Sequence, residues 1–168
     1  SPFANDLSIL RLELQKHKRK MGSEKGYDFS LYSDEQLTDH YHYTVFPNVS
    51  FSMKPDGCIF LMAYPHPENP KKCFFNMWYL TQFPEDAKEY YSNSMRDWVS
   101  VDEQVKHETG KVGEISCGHG IDQDVAIWSS QQRGLASRGY KGEYMPHQER
   151  RIRFFHENID RYLSEKIN

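Results

Sequence analysis

The spacing of apolar positions changes along the chain, and each change predicts a different element. Over residues 6–20, Leu7, Ile9, Leu10 and Leu14 recur mostly at helical intervals, and a basic run at 16–20 precedes Gly22. That is the pattern of an amphipathic helix ending near a glycine. The basic run suits a solvated helix C-terminus, where cations meet the negative end of the macrodipole. Residues 22–38 are polar and predict a loop with one turn of helix.

Between residues 41 and 83 the pattern shortens. Aromatic and β-branched runs at 41–46, 49–53, 58–64 and 73–82 are separated by Pro47-Asn48, by Lys54-Pro55-Asp56-Gly57 and by residues 65–72. Short strands punctuated by turn residues predict an antiparallel meander, with Asp56-Gly57 as the strongest hairpin signal. Beyond it the chain reads as helical: polar, exposed segments at 85–98 and 100–109, then 122–135 and 146–167. In the last of these Ile152, Phe155, Ile159, Tyr162 and Leu163 form one apolar stripe that needs a partner surface. The sheet is the obvious partner, which gives an α+β domain.

With 168 residues, one domain is expected over 1–168. Aromatic residues make up 14% of the chain, enough to build a core despite few aliphatic side chains. A net charge of −3 creates no strong field, so nucleic acid and anionic membrane are poor partners. The longest apolar run, 58–64, is too short to span a bilayer. Three widely spaced cysteines make no disulfide framework and fit a reducing cytoplasm. The opening lacks both a start methionine and a signal peptide, and predicts a piece of a longer protein.

Few residues offer chemistry. Cys117-Gly118-His119-Gly120 contains the Cys-x-His half of a Rieske cluster site, but no later cysteine supplies the other half. His40-x-His42 places two imidazoles on one face of a strand with no obvious third ligand, the pattern of ordinary surface or cavity histidines. His156-Glu157 lacks the second histidine of a zinc-protease helix. Asp122 and Asp124 are more informative, because they stand at a predicted helix start. Asp122 suits a capping role there. Asp124 has Ile127, Trp128 and Gln131 one and two turns on, so its carboxylate lies on or beside an apolar stripe and calls for a cation, a metal or several donors.

Around these carboxylates the sequence resembles a family. Ile121-Asp122-Gln123-Asp124-Val125-Ala126-Ile127-Trp128, then Gln132-Arg133-Gly134-Leu135, Ser137, Gly139-Tyr140 and residues 149–156 resemble the C-terminal end of Rieske-type ring-hydroxylating oxygenase α subunits. Upstream, His42-Tyr43-Thr44-Val45-Phe46-Pro47-Asn48 resembles the same family's "FPN" strand. The landmarks occur in family order across roughly residues 41–163.

The resemblance implies a helix-grip (START/Bet v 1-like) catalytic domain, with an antiparallel sheet wrapped around the long C-terminal helix. It implies a mononuclear non-haem Fe(II) held by two histidines and one carboxylate, a facial triad that leaves positions open for dioxygen. The match places the carboxylate on Asp124, with Asp122 as the fallback if the alignment slips. Cys117, His119 and Gly120 then lie beside the substrate, and Trp128 walls the pocket. Electrons would pass from NAD(P)H through a reductase, often with a ferredoxin, to a 2Fe-2S Rieske cluster and on to the iron. The substrate would be a small aromatic or other apolar molecule, and the assembly a homotrimer or α3β3.

One departure qualifies this. The family's two histidine ligands stand about one helical turn apart, upstream of the "FPN" strand. The histidines here are at 17, 40, 42, 66, 107, 119, 147 and 156, and none upstream of Phe46 are so paired. The expectation is therefore the distal part of a catalytic domain that carries one iron ligand of three, is inactive alone, and lacks the Rieske domain and the histidine pair. The competing expectation is a helix-grip carrier of lipid or small ligands without metal. Asp124 separates the two, because a carrier has little reason to aim a carboxylate into its cavity. A small accessory subunit of an oxygenase is the weaker third reading.

Overall fold

The computed structural model describes residues 7–92, 95 and 97–165. They fall into two compact units, Ser1–His107 and Glu108–Asn168. In the first, helix α1 (Leu7–Glu24) runs four residues past the predicted end and through Gly22. Its stop comes at Gly26, whose φ of 79° is the left-handed conformation a helix terminator needs. Tyr27 N–H reaches back to the Gly22 carbonyl and Gly26 N–H to that of Ser23, at 2.9 and 3.2 Å.

Gly22 belongs inside the helix because the Phe29 ring packs against it: a Cβ there would lie 2.5 Å from Phe29 Cδ2. Gly22→Ala is accordingly expected to destabilise the chain by about 1 kcal/mol, because overpacking outweighs the gain in helix propensity. Gly134→Ala, where an added methyl meets nothing within 4 Å, is expected to stabilise by about 0.5 kcal/mol. Thermal unfolding of the two variants should shift in opposite directions.

The basic run of α1 is put to structural use. Arg19 binds the Asp34 carboxylate and the Phe29 and Tyr32 carbonyls, and Lys18 binds the Leu37 carbonyl. These contacts fix the polar segment and the short helix α2 (Asp34–Thr38), which starts on a capping box between Ser33 and Gln36. Leu37 of α2 is 1% exposed. The buried side chain of α1 is polar: Gln15 donates to Thr38 Oγ1 at 3.2 Å. Leu7, Ile9, Leu10 and Leu14 remain exposed.

The meander forms as predicted. Strands β1 (Tyr41–Val45), β2 (Val49–Lys54), β3 (Gly57–Pro65) and β4 (Cys73–Thr81) make one antiparallel sheet in sequence order. The β1–β2 connection, Phe46-Pro47-Asn48, contains a cis Phe46–Pro47 bond. Register aligns one aromatic from each strand, Tyr43, Phe51, Phe60 and Trp78. Their ring centroids are 5.2, 6.2 and 5.5 Å apart in succession. Such cross-strand pairs contribute roughly 0.2–1 kcal/mol each and fix the strands against slippage.

Contrary to the sequence expectation of helices at 85–98 and 100–109, residues 85–92, 95, 97–98 and 100–109 are not helical; 93, 94 and 96 lie outside the described residues. Strands β5 (Glu89–Ser92) and β6 (Asp97–Ser100) form a separate hairpin, and 103–110 is irregular. The reason is side-chain pairing. Tyr90 and Tyr91 stand opposite Val99 and Trp98, so two clusters of strand-forming residues meet across a turn instead of being strung thinly along a helix. Val99 becomes 6% exposed, and Tyr90 stacks on Phe83 at 5.4 Å.

In the second unit α3 (His119–Leu135) starts three residues before the predicted Asp122. After Pro146 a 3-10 turn, His147–Glu149, leads into α4 (Arg150–Glu165). The stripe on α4 has the predicted period, with Phe155 and Ile159 half-buried and Ile152, Tyr162 and Leu163 exposed. The class is α+β: a four-stranded antiparallel sheet and a long C-terminal helix, the elements of a helix-grip fold in their order. No helix among the described residues is long and apolar enough to cross a membrane.

Candidate metal centre on the third helix

Helix α3 begins at Gly118, whose φ of 89° turns the chain into the helix without a capping side chain. Asp122, in the first turn, instead binds the residues just before the helix. Asp122 Oδ1 accepts the Cys117 N–H at 2.7 Å, and Oδ2 accepts the Ser116 hydroxyl at 2.6 Å. Ser116 Oγ in turn accepts the Gly118 N–H at 3.2 Å. Both oxygens of Asp122 are therefore engaged in tying residues 116–118 to the first turn of α3. The sequence expectation placed Asp122 at the helix start as a cap; its carboxylate binds the preceding turn, with Ser116 as a partner that the sequence did not single out. The signal available was a hydroxyl six residues before an acid at a helix start.

Asp124 differs in kind. Residues two apart on a helix are separated by about 200° around its axis, so Asp122 and Asp124 face nearly opposite ways. Asp124 is exposed and makes no hydrogen bond or ion pair with any described residue. Gly120 and Trp128 lie four residues before and after it, one turn away on the same face. A Cβ at Gly120 would meet nothing within 4 Å, so the space beside Asp124 is open on that side. Trp128 is half-buried. Gly120, Asp124 and Trp128 thus share one stripe, while Cys117 sits in the turn secured by Asp122. His119 opens α3, and its side chain lies outside the described residues.

Burial and the Asp122 charge both push the Cys117 thiol above its ordinary value, burial the more strongly. Less thiolate at a given pH means slower alkylation. Cys117 is expected to react with iodoacetamide at pH 8 several-fold more slowly than the exposed Cys73. Asp122→Asn should speed it, by removing the neighbouring charge and loosening the turn. Peptide mapping of the alkylated chain reads both rates.

Among the described residues no group of three histidine, cysteine, aspartate or glutamate side chains is placed to hold a metal. The Asp124 carboxylate, which binds no other described residue, is of the donor type that suits a hard or borderline cation such as Fe(II). A complete site needs donors from beyond this set. In the first unit, the rings of His40 and His42 both bind Ser52 on the neighbouring strand.

Residues 7–165 match the family model described as the ring hydroxylating alpha subunit (catalytic domain). Comparison with curated proteins and with solved structures gave no match.

Proposed function

Because this chain belongs to the family of ring-hydroxylating α-subunit catalytic domains, we propose that it is the distal part of an oxygenase catalytic domain and that Asp124 is the carboxylate ligand of its mononuclear iron. The observation that carries this reading is the family match, which spans residues 7–165. The choice of Asp124 over Asp122 draws on the helix geometry: both oxygens of Asp122 hold the preceding turn, whereas those of Asp124 bind no described residue. Two histidines from elsewhere in the complete protein would finish the triad.

Bound there, Fe(II) would supply the activation of dioxygen for insertion into an aromatic or related apolar substrate, fed by electrons from NAD(P)H through a reductase and a 2Fe-2S Rieske cluster. The residues of this chain do the positioning. Asp122 and Ser116 fix the turn at the start of α3, so the ligand helix begins in one orientation. Gly120 leaves space beside the carboxylate for a small molecule. Trp128 offers an apolar wall that excludes water. The small-ligand carrier is the less favoured reading, because the family is one of oxygenases.

The test uses the complete protein with its reductase, NAD(P)H and a panel of aromatic and apolar compounds under ¹⁸O₂. Hydroxylated product carrying the label is the expected result. Binding of apolar compounds with neither oxygen uptake nor labelled product would mark a carrier.

A further inference from the structure

A second cluster of metal-binding side chains lies in the first unit, on the sheet. His40 precedes β1 and His42 lies within it, so the period of two puts both rings on one face. Both are exposed, and their rings are nearly parallel, 11° apart in plane with centroids separated by 6.2 Å. In register opposite His42 on β2 is Ser52, which is 6% exposed. Ser52 Oγ lies 2.8 Å from His42 Nδ1 and 3.0 Å from His40 Nε2.

Two ring nitrogens thus converge on one hydroxyl oxygen. A hydroxyl has a single proton and can donate to only one of them, so the other nitrogen must carry its own proton and donate to the oxygen. A divalent cation removes this restriction, because it accepts a lone pair from each nitrogen and from the oxygen at once. Imidazole nitrogens suit the borderline first-row cations, Cu(II), Ni(II) and Zn(II). The nearest charges in sequence do not oppose one: Arg11 holds Asp39 at 2.7 Å, an internally neutral pair.

We propose that His40, His42 and Ser52 form a binding site for a borderline divalent cation such as Cu(II) or Zn(II), with two imidazole nitrogens and the serine oxygen as protein donors and water in the remaining positions. The site spans β1 and β2, so an ion held there would fasten β1 to its neighbour. It is separate in sequence and ligand type from the carboxylate on α3.

The test titrates the full chain with Cu(II) and follows electron paramagnetic resonance. The expected result is one bound Cu(II) showing hyperfine splitting from two nitrogens. His40→Ala and His42→Ala should each weaken that binding at least about tenfold, as loss of one of two strong donors requires. Ser52→Ala should weaken it less. A second measurement needs no variant: Zn(II) should protect His40 and His42 together from diethyl pyrocarbonate, mapped by mass spectrometry, while His156 reacts as before. Cu(II) signals with one nitrogen or none, affinity unchanged in either alanine variant, or unaltered modification of His40 and His42 would each overturn the proposal.

Discussion

If Asp124 is the iron ligand as proposed, Asp124→Ala in the complete protein is expected to lower product formation by more than about 100-fold, since losing even a supporting partner of a metal ligand costs about 10–100-fold. The ligand itself must cost more. The variant should still fold, because the Asp124 side chain is exposed and makes no bond to a described residue. Asp122→Asn is the informative contrast. It keeps the shape of the side chain but weakens the ties to Ser116 and Cys117, and should reduce turnover less than tenfold while making the start of α3 more mobile. Oxygen uptake and product yield measured together would check both variants.

The largest effect on stability is expected at Gly57. It pairs with Thr81 at the end of the β3–β4 ladder remote from the connection at 66–72, where a Cβ would collide with the backbone carbonyl oxygen of Leu80. A carbonyl in a strand ladder cannot swing aside as a flexible side chain can. Gly57→Val should therefore part β3 from β4 at this end and destabilise the chain by about 3 kcal/mol. For a chain of this length that lowers the unfolding midpoint by roughly 6–12 °C. A calorimetric scan of the variant beside the parent chain checks it.

Gly57 also shows how the sequence can be right about an element for an incomplete reason. Asp56-Gly57 marked the hairpin, yet the register pairs Lys54 with Gly57 and leaves Pro55-Asp56 as the two-residue loop. The glycine is needed for the close approach of β4, a contact between residues far apart in sequence. The strands themselves were legible because aromatic and β-branched runs met clear turn residues at both ends. The hairpin at 89–100 was not, since Tyr90-Tyr91 and Trp98-Val99 are short clusters whose meaning appears only when they face each other. The extension of α1 past residue 20 was hidden for a similar reason. Gly22 looked like a terminator, and only the Phe29 ring against it explains a glycine inside the helix.

At the candidate centre the division is the same. The two carboxylates and the helix bearing them were readable from Asp122-Gln123-Asp124 and the apolar positions that follow. Which carboxylate is occupied was not, because that depends on where the turn before α3 puts the Ser116 hydroxyl and the Cys117 amide. His40 and His42 were visible as a pair on one strand face. Ser52 joins them through the β1–β2 register, which the short connection at 46–48 implies only once Val45 is paired with Val49.

The most direct measurement is the ratio of mononuclear iron to Rieske cluster in purified complete protein carrying Asp124→Ala, with Asp122→Asn beside it. The assignment of Asp124 predicts near-complete loss of mononuclear iron in the first, retention of most of it in the second, and an unchanged cluster spectrum in both. Wild-type iron content in Asp124→Ala would contradict it.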